Sequence, residues 1–460
     1  MTTPQTLVEH ALEESTADHC IVILTISSTA NLRWANNTLT TNGIATREHL
    51  TVVSVVDGAD GVRAGVLTRT ATTNAQVKAL VAAADEAARR ASPADDAHPL
   101  VERTDTGEWD QPAGQTTIDV FTDFAPALGE AFKRAGHEDR LLYGFAEHDV
   151  TTTYVATSTG VRLRHEQPTG HIGITGKPTD LSTSAWVGQA VEQIDEIDVS
   201  ALDAELIRRI GWAGRRVDLP AGRYETLLPP AAVADLMLYA YFVSSGQDAH
   251  DGRTVYSDPD GGTRVGQQIA KPGVRLRSDP TARGLSTAPF VVATASSSVQ
   301  SVFDNGLPVS TTDWIADGTL RHLATSRYTA EQTGLTVSPA VDNLSLEVAS
   351  GTGSVDDLVA QTERGLLVTC LWYIRSVDPQ SLLLTGLTRD GVYLVENGEV
   401  VGAVNNFRFN ESPIDLLNRF TGAGDTVRSF SREWGDMFPR TATPPLRIPD
   451  FNMSSVSQAS

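Results

Sequence analysis

The chain has 460 residues, 40% of them hydrophobic, which is too long for one ordinary core and too apolar for wholesale disorder. Lys and Arg number 36 against 57 Asp and Glu, a formal charge of −21, and a field of that sign argues against direct binding to phosphate backbones. The two cysteines, Cys20 and Cys370, lie far apart and outside any metal-ligand spacing, which argues against a disulfide framework and fits a reducing compartment.

In chain order, the start lacks a basic stretch followed by an apolar run, so no secretory signal is expected. Residues 5–15 read as an amphipathic helix. Cys20–Ser27, Asn31–Asn37, Leu50–Val56 and Val62–Leu67 read as antiparallel strands, with Asp57-Gly58 and Asp60-Gly61 as turns. The period then changes: Asn74 caps a helix with an apolar face of Val77, Leu80, Val81, Ala84 and Ala88. A second helix is expected around Phe121–Lys133, strands from Leu141 to Trp186, and a helix over Val199–Gly214. The apolar run Leu227–Val243, interrupted by Pro229, Pro230 and Asp235, is too short to span a bilayer and reads as a buried element. Beyond Tyr224 the chain reads as short strands broken by two helices, Val355–Arg364 capped by Ser354 and stopped by Gly365, and Pro413–Phe420 capped by Ser412. Asn397-Gly398 is a strong hairpin signal between Val392–Glu396 and Glu399–Val404. The expected fold class is α+β: an N-terminal αβ domain with a mixed or antiparallel sheet over 1–115, a central αβ segment continuing it over 116–222, a C-terminal β-rich, barrel-like domain over 223–453, and a frayed Ser-rich tail over 454–460.

The stretch His165-Glu-Gln-Pro-Thr-Gly-His171 approaches a zinc-protease motif and misses it. Its histidines are spaced i, i+6, which puts them on opposite sides of any helix, and Pro168 and Gly170 argue against a helix. Both histidines are expected on a loop between two strands, without a role. No pair among the ten histidines has i, i+4 or i, i+5 spacing. His250 reads as lying in a polar loop, and His322 in an exposed stretch, Leu320-Arg-His-Leu. Ser296–Ser298 lacks a nucleophile elbow, Gly351-Thr-Gly353 lacks a full phosphate-loop pattern, and Asp95-Asp96 and Asp356-Asp357 read as solvated acids. Cys370 beside Trp372 and Tyr373 reads as core packing.

Several segments in order and spacing resemble the TldD/PmbA (TldE) metallopeptidase family: Phe303-Asp-Asn-Gly-Leu-Pro, Asp317-Gly-Thr-Leu-Arg, Thr325–Gly334, Arg364-Gly-Leu-Leu-Val-Thr369 and Gly391–Glu399. Arg33-Trp-Ala-Asn-Asn, Gly61-Val-Arg-Ala-Gly65 and the helix after Asn74 are similar to that family's opening domain. The TldD-like branch carries HExxxH on a helix and a late cysteine, which bind zinc. The segment here that matches the zinc helix, Leu227–Tyr241, contains neither His nor Glu, and Arg432-Glu-Trp-Gly-Asp, matching the late cysteine, has no Cys. The resemblance therefore places the chain in the zinc-less PmbA/TldE-like branch. It implies no catalytic, cofactor-binding or metal residues in this chain, no cofactor of its own, and zinc on a TldD-like partner subunit. It further implies a cytoplasmic, catalytically inactive subunit of a heteromeric zinc peptidase that acts on unfolded or short, including modified precursor, peptides, with neither membrane nor nucleic acid as partner. The alternatives are a peptide-binding or regulatory protein, as in the family's older label of modulator of DNA gyrase, and an autonomous hydrolase with an unrecognised site.

Overall fold

The computed structural model describes residues 3–103 and 107–457. The first sheet holds β1 (His19–Ala35), β2 (Thr38–Gly58), β3 (Gly61–Arg69), β4 (Arg140–Thr157), β5 (Arg162–Pro178) and β6 (Ala185–Val191), in the order β3-β2-β1-β4-β5-β6. Every pairing in it is antiparallel. Segments 1–115 and 116–222 thus contribute strands to one sheet, joined through β1 and β4. The two runs expected as Cys20–Ser27 and Asn31–Asn37 are one long strand. It ends at Asn36 and Asn37, both at positive φ (51° and 58°), a two-residue turn that matches strand twist and that Asn tolerates.

One face of this sheet carries the helices α1 (Pro4–Glu14), α2 (Asn74–Arg90), α3 (Phe124–His137) and α4 (Val199–Trp212). Leu7, Val8, Val77, Leu80, Val81 and Ala84 pack on Val22, Leu24, Val52 and Tyr154, and farther along Phe124, Leu128 and Leu206 pack on Leu32, Trp34 and Ile172. The cap of α2 is Thr73 rather than Asn74, with Gln76 completing a capping box. The other face meets the C-terminal half: Ile21, Ile23, Val155 and Leu163 pack on Phe290, Val302 and Phe303.

The C-terminal half contains a six-stranded and a ten-stranded sheet, both including parallel pairs. Neither closes, which corrects the barrel-like expectation. The apolar interior is filled by a helix instead. α5 (Pro230–Phe242) is apolar on all sides and packs against strands of both sheets, with Val233, Leu236, Met237 and Leu238 in the largest core. The Asn397-Gly398 hairpin forms as expected, Tyr393 pairing with Ala403 and Glu396 with Glu399. The helix after Ser354 spans only Val355–Ala360, and Gly365 lies inside the strand Arg364–Val368, where a side chain would collide with Glu225 O. The helix Pro413–Arg419 agrees with expectation. The strand Leu446–Val456 corrects the frayed tail as far as Val456, because Val456 and Ser455 pair with Phe407 and Arg408. Residues 458–460 of that tail lie outside the described residues.

Candidate functional site

Two places carry polar chemistry against the interior. The first is the junction of α5 with residues 431–434, the segments that the resemblance aligns with the zinc helix and the late cysteine. Asp235, on α5, is fully buried. Its Oδ1 accepts a short hydrogen bond from Ser431 Oγ and another, of 2.9 Å, from Glu433 N, and Ser431 Oγ in turn accepts from Trp434 N at 2.9 Å. Burial pushes the Asp235 carboxyl up to about 7, against the opposing pull of its hydrogen bonds. Glu433 is held by Arg375 at 3.0 Å and by Tyr373 N at 2.9 Å. The Arg432 guanidinium lies over Trp186 at 4.9 Å and over Trp372 at 4.7 Å. Tyr239 and Tyr241 donate to the Ile374 and Val341 carbonyls at 2.6 and 2.8 Å. Cys370 is buried, and burial drives its thiol well above the ordinary range, against thiolate formation.

A zinc centre needs about three N, S or O ligands converging on one point. This junction offers one carboxylate that already accepts two hydrogen bonds and that burial tends to neutralise, together with a Glu tied to an Arg. That donor set does not fit zinc. Among the described residues no group of three or more His, Cys, Asp or Glu is placed to hold a metal ion.

The second place is a cleft of about 440 Å³ between the first sheet and the C-terminal half. Its floor is one face of β4 and β5. The alternate residues Glu147, Asp149, Thr151 and Thr153 stand opposite His171, Thr169, Gln167 and His165 in register. Its walls come from Thr287, Ala288, Val292 and Asp342, and from residues 435–440. The same sheet face is apolar at Val155 and Leu163, where Phe290 and Phe303 cover it, and becomes polar where the cleft opens. On the neighbouring β1 it continues with Thr25, Ser27 and Thr29.

His165 and His171 therefore belong to a continuous strand and not to a loop. Pro168 fits that strand because it pairs with Val150 on one side, while the β6 ladder begins only at Gly170, so no neighbour there requires its missing N–H. His165 Nε2 lies 3.0 Å from Gln167 Oε1. His171 is 8% exposed, and its ring stacks on Phe430 at 5.5 Å and tilts against Phe145 at 5.7 Å. Burial lowers the pKa of both, favouring neutral imidazoles. Burial, then the like charges of Asp149 and Asp436, push the Glu147 carboxyl up. Burial also raises Asp342, which is opposed by Arg440, whose guanidinium donates a short hydrogen bond to Thr169 Oγ1. Asp149 is satisfied by Thr29 at 2.8 Å and by Thr151 at 2.5 Å.

The neighbouring histidine His148 points to the helix-covered face. It is fixed by Thr116 at 2.8 Å and the Glu192 carbonyl at 3.3 Å. His250 ends a short helix and His322 contacts Ser338 at 3.2 Å, both outside the cleft lining. The signal that finds the cleft in the sequence is period-two polarity: E-x-D-x-T-x-T on β4 facing H-x-Q-x-T-x-H on β5. Reading 165–171 as a loop conceals it.

No curated protein matches the chain. Solved structures do. TldE from Thermococcus kodakarensis is similar at TM-score 0.79 and 16% identity, covering 97% of this chain and 99% of that one. A protein from Bacteroides thetaiotaomicron described as a modulator of DNA gyrase gives 0.76 and 15%, covering 99% and 100%. Another so described, from Thermotoga maritima, gives 0.74 and 16%, covering 94% and 95%. At these identities the likeness speaks for the fold. The family itself is fixed by sequence: the model of the PmbA/TldA metallopeptidase C-terminal domain matches residues 221–455, half of the chain, and the protein belongs to the PmbA/TldD metallopeptidase family.

Proposed function

We propose that this chain is a non-catalytic subunit of a heteromeric TldD/TldE-type zinc peptidase. A TldD-like partner supplies the zinc, the activated water and the general base. This chain completes the enclosure and helps to hold an unfolded or short peptide, in the cytoplasm. The observation that carries the reading is the α5 junction. Where a zinc helix would present ligands, Asp235 is instead buried and bonded to Ser431 and to the Glu433 backbone, within a donor set unsuited to zinc. The cleft over β4 and β5 supports peptide contact. So does β2, which among the described residues has no sheet partner on its outer side from Thr38 to His49, since its pairing with β3 starts at Leu50. Open strand edges are where extended peptides add. Among the described residues no helix is long and apolar enough to cross a membrane.

The test is to mix the chain with a TldD-like protein encoded by the same organism. Size-exclusion chromatography should show co-elution, and a fluorogenic unstructured peptide should be cleaved faster by the mixture than by either chain alone. Replacing the partner's HExxxH glutamate should abolish cleavage and leave co-elution intact, because a general base acts on the transition state. Two chains that never co-elute, with the partner fully active alone, would refute the subunit reading.

A further inference from the structure

The cleft over β4 and β5 has a charge pattern that calls for a ligand. Among its lining residues the carboxylates Glu147, Asp149, Asp342 and Asp436 face a single guanidinium, Arg440, and Arg440 lies toward the Asp342 and Thr169 end. At the other end are Glu147, Asp436 and His171. Glu147 stands directly opposite His171 in the ladder and has no hydrogen bond or ion pair among the described residues. Arg47 and Arg33, on β2 and β1, pull the other way but rank after burial and the two aspartates, and the Arg33 guanidinium is drawn over the Phe145 ring at 4.6 Å.

The histidine is the independent observation. Its side chain is nine-tenths buried and held by the Phe145 and Phe430 rings, yet among the described residues its Nε2 has no hydrogen-bond partner. The nearest carboxylate, Asp436 Oδ1, is 3.6 Å away, too long for a hydrogen bond. Buried polar atoms in folded proteins are normally paired, and one left open beside an unpaired carboxylate is poised for a donor that arrives from outside. A metal ion is a poor candidate, because these groups do not converge as ligands. A volume of about 440 Å³ suits a side chain or a chain end.

We infer that this end of the cleft seats one organic cation of a bound peptide, held between Glu147 and Asp436 with its N–H groups toward His171. The cation is either an amino-terminal ammonium or the head of a lysine or arginine side chain. The inference rests on the reading of this chain as a peptide-holding subunit and names which peptides it prefers.

The experiment uses the full chain alone in isothermal titration with three short Ala/Gly-based peptides. One is blocked at both ends with a central lysine, one is blocked with norleucine in place of the lysine, and one carries norleucine with a free amino terminus. The lysine peptide or the free-amino peptide, whichever is the source, should bind about tenfold tighter than the blocked norleucine peptide, as charge-assisted hydrogen bonds require. Glu147→Gln with Asp436→Asn should cut that preference to below about threefold and leave the blocked norleucine peptide unaffected. Each substitution is also made singly, so that misfolding of the double variant still leaves two measurements, each expected to lower the preference. Equal binding of all three peptides, binding of none, or a preference that survives these substitutions would overturn the inference. Co-elution with the partner is measured independently, so the subunit reading can stand where this one falls.

Discussion

The α5 junction and the β4–β5 cleft both bring carboxylates against the interior, one fully buried and fixed through Oδ1 by Ser431 and the Glu433 backbone, the other at the floor of an open cleft. At the junction Asp235 is fully buried, its Oδ1 takes two hydrogen bonds while its Oδ2 has no partner among the described residues, and its acid tends to the neutral form. In the cleft Glu147 has no hydrogen bond or ion pair among the described residues and is only half-buried, and His171 Nε2 is buried without a hydrogen-bond partner among them. A carboxyl with one oxygen fixed by protein donors, and kept neutral by burial, serves the fold. A polar group left open at the floor of a cleft is available to something else. In this chain the segment that the resemblance aligns with a zinc helix presents one buried carboxyl, while His165 and His171 of β5 line the floor of the cleft.

The sharpest way to break this contrast is Asp235→Ala. It strips two hydrogen bonds from Ser431 and the Glu433 N–H inside the core and should cost about 2 kcal/mol or more in denaturant unfolding. A loss near zero would mean that the junction is not held by Asp235. Asp235→Asn sharpens the same point through pH. The folded-state pKa of about 7 lies above the ordinary carboxylate value, so the wild type loses stability as pH rises toward 7. The amide does not titrate, so the variant should gain on the wild type, by on the order of 1 kcal/mol between pH 5 and 7, read from paired denaturation curves. Parallel curves would contradict a neutral buried acid.

His171→Ala and His165→Ala compare the two floor histidines. Removing the ring wedged between Phe145 and Phe430 should cost about 1–2 kcal/mol, while His165, bonded only to Gln167, should cost about 0.5 kcal/mol or less. Equal, negligible losses would return both to the status of loop residues. The smallest effect concerns His171 protonation. Its pKa is lowered by burial, so the stability of its neutral form is present above about pH 6.5 and is lost as pH falls. His171→Gln should therefore lose less stability than the wild type between pH 7 and 5, by a few tenths of a kcal/mol.

Periodicity made much of the fold legible: the α2 face, the all-apolar α5, the Asn397-Gly398 hairpin and the strands of the first sheet all express local pattern. What stayed hidden depends on distant partners. Gly365 reads as a helix stop, yet it is a strand residue placed by close approach to Glu225. Ser455 reads as tail until Arg408 pairs with it. Pro168 suggests a break in β5, and only the late start of β6 explains why the strand tolerates it. The cleft is hidden for the same reason, because a segment that reads as a loop shows no reason to carry period two. The Asp235–Ser431 contact joins residues too far apart in sequence for spacing to reveal.

The central claim is that this chain carries no zinc of its own, and the most direct measurement is elemental analysis of the purified full-length protein after exhaustive dialysis. Far less than one zinc per chain is expected, since the donors around Asp235 do not converge as a ligand set. A stoichiometric zinc that survives dialysis would contradict it, and would turn the search for ligands to His165, His171 and His250.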